Sequence, residues 1–159
     1  RGFRATPSSL ARRSDVAKFR LMLEQEGVAE SMRRGGVAWE AQVAAAHQKL
    51  SHIETQIQRE GDLAPFSRLW TEAEWEFHQT LIAACASPML IETYDRVYLQ
   101  FRQQNSDHVR DFGANFFETI VNEHQAIVDA VLSRDVAASR AAIEDHLKRN
   151  IHADAKSAA

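Results

Sequence analysis

What this chain has little of narrows its class first. One cysteine, Cys85, stands among 159 residues, which excludes an internal disulfide framework and a zinc site built from several thiolates. Six glycines and three prolines are too few for an all-β domain of this length, which needs many turns. The reading is therefore all-α. No apolar run approaches the roughly 20 residues that a bilayer-spanning helix needs, and no secretory leader pattern opens the sequence. We expect no membrane partner and a cytoplasmic setting. Also absent are the His-Glu-x-x-His, Gly-x-Ser-x-Gly and phosphate-cradling glycine signatures. A ferritin-like di-iron site needs Glu-x-x-His pairs, but Trp75, Val121 and Ile143 stand where its glutamates would be.

What is present describes one helical domain. The composition is 45% hydrophobic and 26% charged, with a net charge of −3, as in an ordinary globular protein. Charge is unevenly spread. Arg1, Arg4, Arg12, Arg13, Lys18 and Arg20 against Asp15 give residues 1–20 a charge of +5 and leave −8 on the remainder. Such an acidic body is a poor nucleic-acid binder by itself, because phosphate contacts dominate that affinity.

Gly2, Pro7, Ser8 and Ser9 mark residues 1–13 as a linker, with the domain expected over 14–153 and a frayed tail over 154–159. Ser14 is read as the N-cap of a first helix running to about Met32, its pattern carried by Val16, Phe19, Arg20, Leu23 and Val28. A second helix is expected from Trp39 to Arg59, ended by Gly61, Asp62 and Pro65. The third runs from about Phe66 to Cys85 with Leu69, Trp70, Phe77, Leu81 and Ile82 as its stripe. Ser87 caps a fourth beginning at Pro88, where the missing N–H is harmless. After a polar connection from Asn105 to Gly113, a fifth covers Asn115 to Leu132. Asp135 caps the last, which carries Val136, Ile143, His146, Leu147 and Ile151. Six helices with short connections imply an antiparallel bundle.

Three of the seven histidines fall on core-facing stripes of three different helices: His78, His124 and His146. Glu74 precedes His78 by one turn, so both side chains share a face and can grip one ion. Three nitrogens and one oxygen suit Zn, Ni, Co, Fe or Mn. The alternative is that the histidines are satisfied core residues and Glu74 a solvated surface acid. Glu123, Glu144 and Asp145 read as solvent-facing or, at most, as supports behind the ligands. His47, His52, His108 and His152 read as surface residues, Trp39, Trp70 and Trp75 as packing, and Cys85 as a buried thiol.

The run Arg20-Leu21-Met22-Leu23-Glu24 resembles the Arg-x-x-Leu-Glu signature of the FCD domain, the effector-binding half of the FadR subfamily of GntR transcriptional regulators. Phe77-His78, Glu123-His124 with Ile127, and Asp135 with Ala138 before His146 resemble that family's later signatures, in order and spacing. Arg1-Gly2-Phe3-Arg4 is similar to the wing that ends the family's N-terminal winged helix-turn-helix. The resemblance implies an all-α antiparallel bundle of six or seven helices, an upstream DNA-binding domain absent from this chain, a homodimer, no enzymatic activity and a small organic acid as effector, with a dicarboxylate as one candidate. It also implies a divalent transition metal on Glu74, His78, His124 and His146, with Glu74 standing where the family has Asp. Arg20 would take the effector's far end as a bidentate partner. Arg102 is a second candidate, and for both arginines the alternative is a surface ion pair. The competing function is a stand-alone helical metalloenzyme, a hydrolase or isomerase, in which an open metal position activates water.

Overall fold

The computed structural model describes residues 7–105 and 115–151, with side chains from residue 10 onward. Among these residues it is all-α. Six α-helices follow in order: α1 (Pro7–Arg34), α2 (Val37–Glu60), α3 (Ser67–Ile82), α4 (Pro88–Asn105), α5 (Phe116–Leu132) and α6 (Val136–Leu147). Single 3₁₀ turns precede α3 at Ala64–Phe66 and follow α6 at Lys148–Asn150. None of the described helices is long and apolar enough to cross a membrane.

Five helices close a ring in the spatial order α1, α3, α2, α5, α6, with α6 returning to α1, while α4 makes its extended packing against α1. The closure follows from the 3.6-residue stripes. On α2, Trp39, Val43, Ala46, Leu50, Glu54 and Ile57 are buried, one residue per turn on a single face. On α1 the buried set is Ser14, Val16, Ala17, Arg20, Glu24, Gly27, Val28, Ser31 and Met32. Two of these stripes carry a glutamate where a core residue is expected.

Local chemistry sets the breaks. Gly61 closes α2 in the left-handed region at φ 71° and returns its N–H to Ile57, a conformation glycine adopts without steric cost. Ser87 accepts from the Leu90 N–H at 3.2 Å ahead of Pro88, and Asp135 accepts from Ala138 at 3.0 Å, as their side chains predict. Gly27 serves close approach instead: a Cβ there would sit 2.7 Å from Ile82 Cγ2 and 3.0 Å from Leu90 Cδ2. The connection after α5 has Arg134 at φ 62°. Its guanidinium donates to the Met32 and Gly35 carbonyls and to Glu40, tying the end of α1 to the start of α6.

Several expectations shift. α1 begins at Pro7, inside the segment read as linker, and Ser14 is a buried helix residue instead of its cap. Proline is well suited to a helix's first position, so Pro7 opens the helix. Phe19 and Leu69 are 49% and 54% exposed, each one position off its helix's buried stripe, and Val136 at the first position of α6 also faces outward. The third helix ends at Ile82. Residues 1–6 and 154–159, His108, His152 and all but the first residue of the polar connection lie outside the described residues.

Candidate metal centre

The ring's interior collects the residues that the stripes single out. α3 presents Glu74 and His78, α5 presents His124, and α6 presents His146 near its last turn; all four are buried. One ligand-capable atom from each lies within 4.8 Å of the others. The rings face one another closely, with His78 stacked on His146 at 5.2 Å and His124 tilted against His146 at 4.7 Å. Glu74 is therefore no surface acid. His52 is exposed, and His47 is half-buried against Phe77.

Each histidine is held from behind. His78 Nδ1 meets Glu24 Oε2 at 2.7 Å, His124 Nδ1 meets Glu54 Oε1 at 3.2 Å, and His146 Nδ1 meets Glu123 Oε1 at 2.8 Å. The supporting carboxylates come from α1, α2 and α5. Glu123 is buried, which corrects its solvent-facing reading and favours the supporting one; Glu144 and Asp145 are exposed as expected. Glu24 and Glu54 were missed because charged residues read as surface, yet the helical register of Leu50, Glu54 and Ile57 carried the signal. Arg149 was missed too: it donates to Glu123 Oε2 and to the His146 carbonyl.

The inner side carries the argument for a cation. His78 Nε2 and His124 Nε2 are buried atoms with no hydrogen-bond partner. Leaving such groups unsatisfied costs about 1–3 kcal/mol each. An ion that accepts their lone pairs removes that cost, and three imidazoles with one carboxylate form a donor set for a first-row divalent metal. The residues present therefore fit the metal that the resemblance implies.

Electrostatics agree with a cation-binding state. Burial pushes His146 well below the ordinary histidine value, helped by the neighbouring His124 and His78, and it also lowers His78 against the pull of Glu24. Both rings thus favour the neutral form that ligates. Burial works to lower His124 as well, but Glu54, Glu74 and Glu123 outweigh it and the net shift is upward. Burial alone would raise Glu24; His78, Arg20 and the Tyr94 hydroxyl reverse this and hold it down to about 2. Glu74 is lowered despite burial, chiefly by Arg102.

The arginines line a small cavity beside the cluster. About 40 Å³ in volume, it is bounded by Arg20, Glu74, Phe101, Arg102, His146 and Arg149 among others. Arg20 is 2% exposed and donates from Nε to Glu24 at 3.2 Å, with its guanidinium 4.6 Å from the Tyr98 ring centre. Its Nη2 is buried without a partner. Arg102 does not form a surface ion pair. It donates to Glu74 Oε1 at 2.7 Å and to Thr71 at 3.2 Å, and it also lines an outer groove of about 460 Å³ between α3 and α4 with Trp75, Tyr98 and Leu99. The Cys85 thiol is buried, with the Ser87 carbonyl 3.9 Å from Sγ.

With this geometry in view, comparison with known proteins is decisive for the family. The family model described as FCD domain matches residues 15–149. The chain belongs to the FCD domain family. This FCD domain is 30% identical over 154 residues to the uncharacterized HTH-type transcriptional regulator BphR of Paraburkholderia xenovorans (strain LB400), covering 95% of the chain and 60% of that protein. It is 27% identical over 149 residues to the HTH-type transcriptional repressor GlaR of Escherichia coli (strain K12), covering 92% and 66%. The chain thus spans less than two thirds of the length of these relatives. Among solved structures, E. coli McbR/YncC superposes with a TM-score of 0.66 at 15% identity, over 86% of this chain and 61% of that one. That likeness shows a shared fold.

Proposed function

We propose that this FCD domain is the ligand-sensing and dimerising part of a GntR-type transcriptional regulator in the cytoplasm. In this reading it binds a small organic acid beside a divalent metal held by Glu74, His78, His124 and His146, and DNA is contacted only by an upstream winged-helix domain. The reading is of a binding protein, not an enzyme.

The observation that carries it is a convergence of unpaired donors. Arg20 Nη2 and Arg102 Nε are buried without partners and belong to residues lining the cavity that touches Glu74 and His146. Guanidinium N–H groups only donate, so the ligand must bring acceptors, and a carboxylate matches a guanidinium fork in shape and charge. Arg20 orients such a group from α1, and Arg102 from α4. The bound metal supplies a positive, Lewis-acidic point that takes a carboxylate oxygen. Phe101, Phe116 and Ile120 exclude water from that contact. A ligand that favours one packing of the bundle shifts the populations of the whole regulator by its differential affinity for the two states.

Two measurements test this on the intact chain. Protein purified without a metal-chelating resin should contain about one equivalent of a transition metal by elemental analysis. A thermal-shift screen of small mono- and dicarboxylates should show a saturable rise in Tm by mass action, which His124→Ala abolishes. Absence of metal together with unchanged carboxylate affinity in His124→Ala would overturn the metal part. Turnover of a small acid or ester that stops on chelation would instead favour the metalloenzyme.

A further inference from the structure

Glu24, Glu54 and Glu123 repeat one arrangement around the centre. Each places one carboxylate oxygen on the Nδ1 of one histidine and anchors its other oxygen elsewhere. Glu24 Oε1 accepts from Arg20 and from Tyr94 at 2.5 Å, Glu54 Oε2 accepts from the Trp70 indole at 3.0 Å, and Glu123 Oε2 accepts from Arg149. Each carboxylate also comes from a different helix than the histidine it holds.

We infer that these three glutamates are positioning residues, a buried outer ring that fixes all three imidazoles with Nε2 turned to the metal. The inference rests on the metal reading above. A carboxylate oxygen accepts from Nδ1, so each Nδ1 carries a ring hydrogen, and in the neutral ring that can ligate an ion Nε2 keeps its lone pair. Carboxylate contacts of this kind set tautomer, orientation and basicity of metal-ligating histidines. A purely structural role would leave both ring nitrogens satisfied, whereas Nε2 of His78 and of His124 has no hydrogen-bond partner.

The three are not equivalent. Glu24 is balanced by Arg20 and Glu123 by Arg149, but Glu54, at 0% exposure, has among the described residues only the neutral Trp70 indole and the His124 ring as hydrogen-bond partners. A carboxylate buried without an arginine is unfavourable unless a cation compensates it. Glu54 is thus the ring member whose charge most depends on a cation at His124, a bound ion or the protonated ring itself.

The direct experiment reads tautomers. In metal-free wild-type chain, long-range ¹H–¹⁵N correlation spectra of the histidine rings should show His78, His124 and His146 protonated at Nδ1; rings protonated at Nε2 and bare at Nδ1 overturn the inference. The second measurement is Zn(II) affinity by competition with a chromophoric chelator. Glu24→Gln, Glu54→Gln and Glu123→Gln should each weaken binding about 10- to 100-fold, Glu54→Gln the most. Should Glu54→Gln fail to fold, the His124 tautomer and the Glu123→Gln affinity decide. Wild-type uptake with unchanged affinity in folded variants overturns the inference alone, whereas no Zn(II) uptake by wild type overturns the metal reading beneath it.

Discussion

Arg102 Nη1 lies 2.7 Å from Glu74 Oε1, so the carboxylate that faces the histidines is gripped from α4. Arg102 is 18% exposed and Glu74 buried. Removing one partner of such a pair strands the other charge in a poor solvent. We expect Arg102→Leu to lower stability by about 2–3 kcal/mol in urea unfolding, below the range for fully buried pairs because water reaches Arg102. Carboxylate binding should weaken as well, and Arg102→Lys should restore stability better than ligand affinity, since ammonium lacks the fork.

Acid should unfold the metal-free protein through Glu24. Its folded-state value is held down to about 2, below the ordinary carboxylate value. A depressed carboxylate contributes stability above its unfolded pKa and loses it as pH falls through the folded one. The window is therefore from about pH 4.5 down to about 2, and the amount on the order of 3 kcal/mol. Tm measured across this range should drop steeply, and Glu24→Gln should flatten the drop while lowering Tm at neutral pH.

Gly27→Ala should destabilise the bundle even though alanine favours a helix by up to ~1 kcal/mol. The added Cβ meets Ile82 at its branch point, 3.0 Å from Cβ and 2.7 Å from Cγ2, where little rotamer freedom remains. Overpacking of this kind costs about 1–3 kcal/mol, so a net loss near 1 kcal/mol is expected by chemical denaturation. A gain in stability would mean that α1 and α3 can separate without penalty.

Asp135→Ala removes the acceptor for the Ala138 N–H. We expect a loss of about 1 kcal/mol. Because His146 closes the same helix, the metal-free melting curve and the Zn(II) affinity should both report it, with Asp135→Asn largely restoring the first.

The four central residues were legible because periodicity alone places Glu74, His78, His124 and His146 on inward faces of their helices. Order and spacing then pointed to the family. The supporting residues were not legible for a physical reason. Glutamate and arginine are almost never fully buried unless paired, and apart from Arg20, four residues before Glu24, the partners of Glu24, Glu54 and Arg102 lie 16 to 70 residues away along the chain. Register offered a clue at Glu54, between Leu50 and Ile57, and at Glu24, one turn after Arg20. Boundaries failed where chemistry was permissive: Pro7 starts a helix as readily as it marks a linker, and Phe19 sits one position from the buried stripe.

The grip of Arg134 on the Met32 and Gly35 carbonyls fastens the far end of α1. The helix runs 28 residues, or about 42 Å at 1.5 Å per residue. Arg20, which lines the cavity, stands near the midpoint of that rod. The cavity at Arg20 and the first described turn at Pro7 therefore belong to one continuous run of helical hydrogen bonds, so whatever seats beside Arg20 touches the same stiff rod that leads toward the start of the chain.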